Sequence, residues 1–215
     1  MILSNFLLLI FNAVSRVLSI AHTNQIRFFG NHIVIGNGSV VHFRSRIFNL
    51  SRSGNVTIGE NCRLGCSSKL YHSGLPFYAK ILIDSEDGSV EIGSNSRVNG
   101  AYIHAKKRIV IGRNCVIAAG VHIMDSNGHE VYSLDRTKGC DEPEEIVIGD
   151  NVWIGLNAII LKDTHIGNNS VVAAGSVVKG DFPPYAVISG NPAQIVKILD
   201  KMKCKLNRST INNSV

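Results

Sequence analysis

The sequence predicts an all-β chain wound as a parallel β-helix, and three observations predict it. An aliphatic residue recurs every six positions at 148, 154, 160, 166, 172 and 178. The fifth position of these hexads holds Val152, Ala158, Thr164, Ser170 and Ser176, with only Phe182 departing from the small-residue rule. An Ile-Gly pair recurs upstream, beginning at Ile35, Ile58, Ile92 and Ile111, and again at Ile148 and Ile166. A fixed period of six fits neither a lone amphipathic helix nor a hairpin sheet. Fixed-period self-similarity marks a solenoid whose stacked coils bury one continuous core.

The hexad has a phase. Its fifth and first positions lie two residues apart, so in an extended segment their side chains share one face while the sixth points away. Small and aliphatic residues line the inside, and Gly, Ala or Asn near the second or fourth position turns the corner. Three hexads make one coil, and coils stacked at about 4.8 Å make a prism with three flat walls. The Ile-Gly pairs mark about six coils; gaps of 34 and 37 residues, Ile58 to Ile92 and Ile111 to Ile148, imply excursions near 71–88 and 125–145. Long irregular loops in a compact domain are usually functional or disordered.

Residues 1–22 read as an amphipathic helix, with Leu3, Leu7, Ile10, Val14 and Val17 at helical spacing. Its apolar run, Phe6 to Phe11, is too short to cross a bilayer. Packing on the end of the solenoid and contact with a membrane surface are the two readings of this helix. The solenoid is expected over 23–190. With 215 residues, 45% hydrophobic and 18% charged, the chain suits one domain with a sizeable core. The five cysteines are an odd number, and Cys62 and Cys115 fall at the inward fifth position as core fillers. That usage points to a reducing compartment and to a cytoplasmic location, at the inner face of the membrane if the helix binds lipid. The net charge of +6 favours anionic partners. Nucleic acid is disfavoured, because the basic residues are scattered and KMKCKLNR has no interleaved aromatics.

Some outward positions are apolar: Val116, Trp153 and Val171 on one wall, His122, Ile159 and Val177 on another. Such patches imply a covering partner, another subunit or a ligand. His129 stands on the loop that breaks the repeat, within IMDSNGH. A neutral imidazole near physiological pH can take the proton of a hydroxyl that would otherwise be a poor nucleophile. Asp125 or Glu130 could orient the ring, or either could simply solubilise the loop.

The hexads, with IMDSNGH, VWIG and GNPA in that order, resemble the hexapeptide-repeat acyltransferase family. The resemblance implies a left-handed β-helix, an assembly of three chains and acetyl-CoA as co-substrate, with no metal. It makes His129 the general base, Trp153 a wall for thioester or acceptor, and Asn99 an acceptor contact. It places the CoA arm in a groove between neighbouring prisms, along Trp153, Gly155, Ala173 and Ala174, with Lys179 and Lys197 meeting its phosphates. It turns the stretch after GNPA, 191–215, into a C-terminal α-helix and tail. The function expected is O-acetylation of a carbohydrate, and the family members it most resembles modify surface or capsular polysaccharide such as polysialic acid. The alternatives are N-acetylation of an amino-sugar nucleotide, a zinc hydratase using His104, His122 and His129, and a non-enzymatic scaffold.

Overall fold

The structure, a computed structural model, describes residues 2–67 and 71–201, with side chains from Ile10 onward. One α-helix, Ile2–Phe29, precedes a solenoid of short parallel strands. The first wall stacks Ile33–Ile35, Asn55–Ile58, Ser89–Ile92, Arg108–Ile111 and Ile146–Ile148, then the ends of Ile159–Ile166 and Val177–Phe182. The second stacks Val40–Val41, Arg63–Leu64, Arg97–Val98, Val116–Ile117, Trp153–Ile154, Val171–Val172 and Ala186–Gly190. The third stacks Arg46–Asn49, Lys80–Ile83, Tyr102–Ala105, His122–Met124 and the starts of the two long strands. These are the coils that the Ile-Gly spacing predicts.

The core is a set of in-register columns. Ile58, Ile92, Ile111 and Ile148 stack one above another, each no more than 2% exposed. Complete burial of such a side chain stabilises by about 1.5–3 kcal/mol. At the fifth position, hydroxyls and thiols bridge successive rungs: Ser96 Oγ donates to Gly112 O, and Cys115 Sγ to Gly149 O. Cys62 Sγ likewise donates to Gly93 O, and burial pushes both thiols above their ordinary range. Both cysteines are therefore core fillers that also bridge rungs.

Glycine and asparagine divide the corner between them. Asn61, Asn95, Asn114, Asn151 and Asn169, at the fourth position, carry the positive φ. The paired glycine serves close approach instead: a Cβ on Gly112 would lie 2.6 Å from the Gly149 carbonyl carbon of the next rung.

Both ends of the stack leave backbone groups without a neighbouring rung. At the first coil the helix supplies them. Thr23 Oγ1 accepts from Val41 N and Ser19 Oγ from Phe43 N, while Arg27 donates to Ile35 O and Gly36 O. The helix packs on the end of the solenoid through the polar stripe Ser15, Ser19 and Thr23, and its apolar residues Val14 and Val17 are left 51% and 65% exposed. It also runs past residue 22, because Thr23 and Arg27 are needed at the edge, and stops at Gly30. Among the described residues no helix is long and apolar enough to cross a membrane.

The last coil is closed differently from the expected helix over 191–215. Ala193–Ile198 is a strand, antiparallel to Ala186–Gly190. Ile195, Val196 and Ile198 are β-branched and suit a strand, and pairing satisfies the exposed edge. The rest of the expected tail, from 202, lies outside the described residues, as do the side chains of Leu3 and Leu7.

The first excursion, described over 65–67 and 71–79, does not run to 88, since Lys80–Ile83 alternates inward and outward and joins the third wall. The second fills 125–145 as expected. Its root is clamped. Asp125 accepts from the backbone N–H groups of Lys106, Lys107 and Arg108. Asp141 accepts from Ser126 Oγ at 2.6 Å and Asn127 N at 2.7 Å, and pairs with Lys162 Nζ at 3.0 Å. Lys162 also reaches Glu144 and donates to Glu142 O. Burial alone would raise the Asp141 carboxyl, but the Ser126, Asn127 and Lys162 contacts carry it down to about 2.

Gly112→Ala should lower the thermal unfolding midpoint, reflecting an overpacking cost of about 1–3 kcal/mol. Lys162→Met leaves Asp141 buried without its cation, at a cost of about 3–5 kcal/mol, and should speed proteolytic cleavage within 126–140. Because the Asp141 carboxyl is held low, its contribution is complete above the free carboxylate value of about 3.9 and is lost as pH falls towards 2. Acid titration of loop protection should follow that window in the wild type and lose this component in Asp141→Asn.

Candidate functional site

The predicted site residues gather at two edges of the third wall. Where the second wall turns into the third, Asn99, Ala118, Gly155 and Ala173 form a column. Asn99 N donates to Ile117 O, Gly155 N to Val172 O and Ala173 N to Ile188 O. The same ladder continues down through Gly65 and His42. Ala174 adjoins Ala173 on the outside of this corner. A Cβ on Gly155 would fall 2.6 Å from Ala174 N, so the smallness of that position is first a demand of rung stacking. Asn99 Nδ2 donates to Ile117 O at 3.2 Å.

Beside the column lies the outward row of the second wall. Its members in register are Arg63, Arg97, Val116, Trp153, Val171 and Val187, with Lys197 opposite Val187 on the closing strand. Trp153 is 55% exposed and Val116 38% exposed. The hexad phase thus placed Trp153 outside correctly, between the buried Val152 and Ile154.

The other edge, where the third wall meets the first, carries His129 and Lys179. His129 is exposed and its ring makes no hydrogen bond to any described residue. Neither suggested orienting group serves it. Asp125 is 0% exposed and spends both oxygens on the Lys106–Arg108 backbone, which fixes the loop root and raises its carboxyl through burial despite those bonds. Glu130 Oε1 accepts from Tyr132 N. Lys179 is exposed just past Val178, at the far end of the wall. The two edges are one wall apart, four extended residues such as Tyr102–Ala105, or about 13 Å. Within one chain the two groups of residues are therefore separate.

Between them, the third-wall row Lys80, Tyr102, His122, Ile159 and Val177 is half-buried. The first excursion folds onto it, with Phe77 edge-on to His122 at 5.4 Å between ring centroids. His122 Nδ1 contacts Gly120 O, and His104 Nε2 lies 2.9 Å from Asp84 Oδ1. Among the described residues, no three His, Cys, Asp or Glu side chains are grouped to hold a metal ion. His104, His122 and His129 do not converge.

Sequence reasoning missed the Asp141–Lys162 clamp. A signal was present: in the hexad ILKDTH the usual small residue after the aliphatic position is replaced by Leu161-Lys162, opposite the loop. It also missed the basic lower half of the second-wall row, Arg63 and Arg97, because the 34-residue gap between their coils hides in sequence that they are register neighbours.

Comparison with known proteins agrees with this architecture. Residues 145–180 match the bacterial transferase hexapeptide (six repeats), and residues 109–124 the hexapeptide repeat of succinyl-transferase. WbbJ of Escherichia coli K12, named as a candidate lipopolysaccharide biosynthesis O-acetyl transferase, is 32% identical over 171 residues, covering 75% of this chain and 79% of that one. The galactoside O-acetyltransferase of the same strain is 36% identical over 114 residues, covering 53% of this chain and 56% of its own length. The solved polysialic acid O-acetyltransferase OatWY superposes with a TM-score of 0.58 at 30% identity, covering 77% of this chain and 73% of that one. The repeat, the three walls and these relatives together place the chain in the hexapeptide-repeat acyltransferase family.

Proposed function

We propose that the chain is an acetyl-CoA-dependent O-acetyltransferase acting on a carbohydrate hydroxyl, in a bacterial surface or capsular polysaccharide such as polysialic acid. The observation that carries this reading is His129: an exposed imidazole without a partner among the described residues, on a loop whose root is fixed by the Asp141–Lys162 pair. A ring free of hydrogen bonds is available to a substrate, and a clamped root limits the entropy lost in positioning it.

In this mechanism the acceptor hydroxyl gives its proton to the neutral His129 ring as its oxygen attacks the thioester carbonyl. The carbon–sulfur bond then breaks and the imidazolium returns the proton to the departing thiolate, so no covalent enzyme intermediate is needed. The Trp153 indole N–H or a backbone amide would stabilise the oxyanion. Asn99 contacts the acceptor. The CoA arm runs along Trp153, Gly155, Ala173 and Ala174, with Lys197 meeting phosphate at the upper end.

The separation of the two edges supports a site shared between copies. In a homotrimer, His129 and Lys179 of one chain would meet the corner groove of the next, and the exposed Val116 and Trp153 and the half-buried Val171 would be covered. We place the protein in the cytoplasm, with the exposed Val14 and Val17 face of the helix supporting peripheral contact with the membrane.

His129→Ala should leave fold and assembly size unchanged while lowering acetyl transfer by about 10²- to 10⁴-fold, followed as free thiol released from acetyl-CoA with a panel of sugars, nucleotide sugars and capsular polymers. Turnover like that of the wild type in this variant would refute the assigned base, and transfer only to amino-sugars would overturn the O-acetyl reading. Co-assembly of His129→Ala chains with Trp153→Ala chains should restore part of the activity, because some interfaces then carry both wild-type residues; no restoration would place the whole site within one chain.

A further inference from the structure

A cavity of about 550 Å³ opens at the foot of the corner column, between the N-terminal helix and the second wall. It is lined by Arg16 from the helix, Arg63 and Arg97 from adjacent rungs, and Gly65, Cys66 and Asn99 from the corner. Among the described residues, no aspartate or glutamate lines it. Several other arginines are engaged by the protein itself: Arg108 pairs with Glu91 and Glu145, Arg113 with Asp150, and Arg27 caps backbone carbonyls. Among the described residues, the guanidinium groups of Arg16, Arg63 and Arg97 have no hydrogen-bond, ion-pair or ring partner, whereas the Arg63 and Arg97 backbone N–H groups donate within the stack to Ser96 O and Cys115 O.

Arg63 and Arg97 are direct register neighbours on parallel strands, about 4.8 Å apart along the stack. Like charges placed opposite one another on a sheet are destabilising. A third guanidinium facing the same space adds to that repulsion. An anion entering the cavity would relieve it, and guanidinium forks match the geometry of carboxylate and phosphate oxygens. Asn99 connects the cavity to the corner column, so a ligand held by the arginines lies at the end of the groove opposite Lys197.

From this arrangement we infer that Arg16, Arg63 and Arg97 form a subsite for an anionic substituent, a carboxylate or a phosphate, on the carbohydrate acceptor. The inference rests on the corner groove being the acyl-transfer site, and it gives that site a substrate class: acidic sugars in preference to neutral ones. The arginines hold the charged group while the hydroxyl to be acetylated points up the column past Asn99.

Calorimetric titration of the full-length protein tests this without relying on turnover. The probes are glucuronate and N-acetylneuraminate for carboxylate, glucose 1-phosphate for phosphate, glucose as the neutral reference, and acetyl-CoA in a separate titration. At least one anionic sugar should bind about tenfold or more tightly than glucose, and that preference should shrink with added salt. The Arg63→Gln/Arg97→Gln double variant, and Arg16→Gln alone, should lose the preference while retaining the wild-type affinity for acetyl-CoA. Which anionic arm wins identifies the substituent. Equal binding of anionic and neutral sugars, or a preference undiminished in the double variant, overturns the subsite. Failure of acetyl-CoA to bind would instead sink the transferase reading and leave the anion result to be judged on its own.

Discussion

Rung-to-rung hydrogen bonding is the constraint on which everything else in this protein depends. In a parallel stack each coil satisfies its backbone only through the coils above and below. Every residue that sets the rung spacing is therefore held to account, and the two ends are left open. Gly112 is small because the next rung passes within contact distance of where its Cβ would be. Asn114 takes the left-handed conformation so that the turn closes in register. The ends are solved by unlike means, hydroxyls of a helix at the first coil and an antiparallel strand at the last. That difference explains an oddity of the helix: its polar stripe faces inward because the surface it meets is an edge of N–H and C=O groups, not an apolar face.

The regular stack also organises the proposed site. A hydrogen-bonded column at the corner and an in-register row beside it align Asn99, Gly155, Ala173, Trp153 and Lys197 along the solenoid axis with no loop involved. The proposed base, His129, comes from a loop at the opposite edge, whose root is held by Asp125, Asp141 and Lys162.

Much of this was legible in the chain because six is a period that few structures satisfy. The phase told inward Cys115 and Val152 from outward Trp153 and Val116, and the gap between Ile111 and Ile148 located the loop bearing His129. What was not legible lies where the repeat stops providing a reference. The stretch after GNPA reads as a helix by resemblance, whereas Ile195, Val196 and Ile198 answer to the exposed edge beside them. The helix face could not be chosen from hydrophobic spacing, since the deciding partners are backbone groups some twenty residues away, Val41 N and Phe43 N. Asp125 looked like a neighbour of His129 in sequence, yet three backbone amides of the preceding coil claim it.

The clamp formed by Asp125, Asp141 and Lys162 has a consequence for how such a protein diversifies. With both ends of the 125–145 excursion tied to the walls, the segment between them contributes nothing to coil register. Doubling the length of a flexible loop costs only about 0.6 kcal/mol in closure entropy. Insertions, deletions and exchanges between the two anchors can therefore be explored by mutation almost independently of the stack beneath. The residues around His129 can change in length and sequence on this scaffold without the solenoid having to be reinvented.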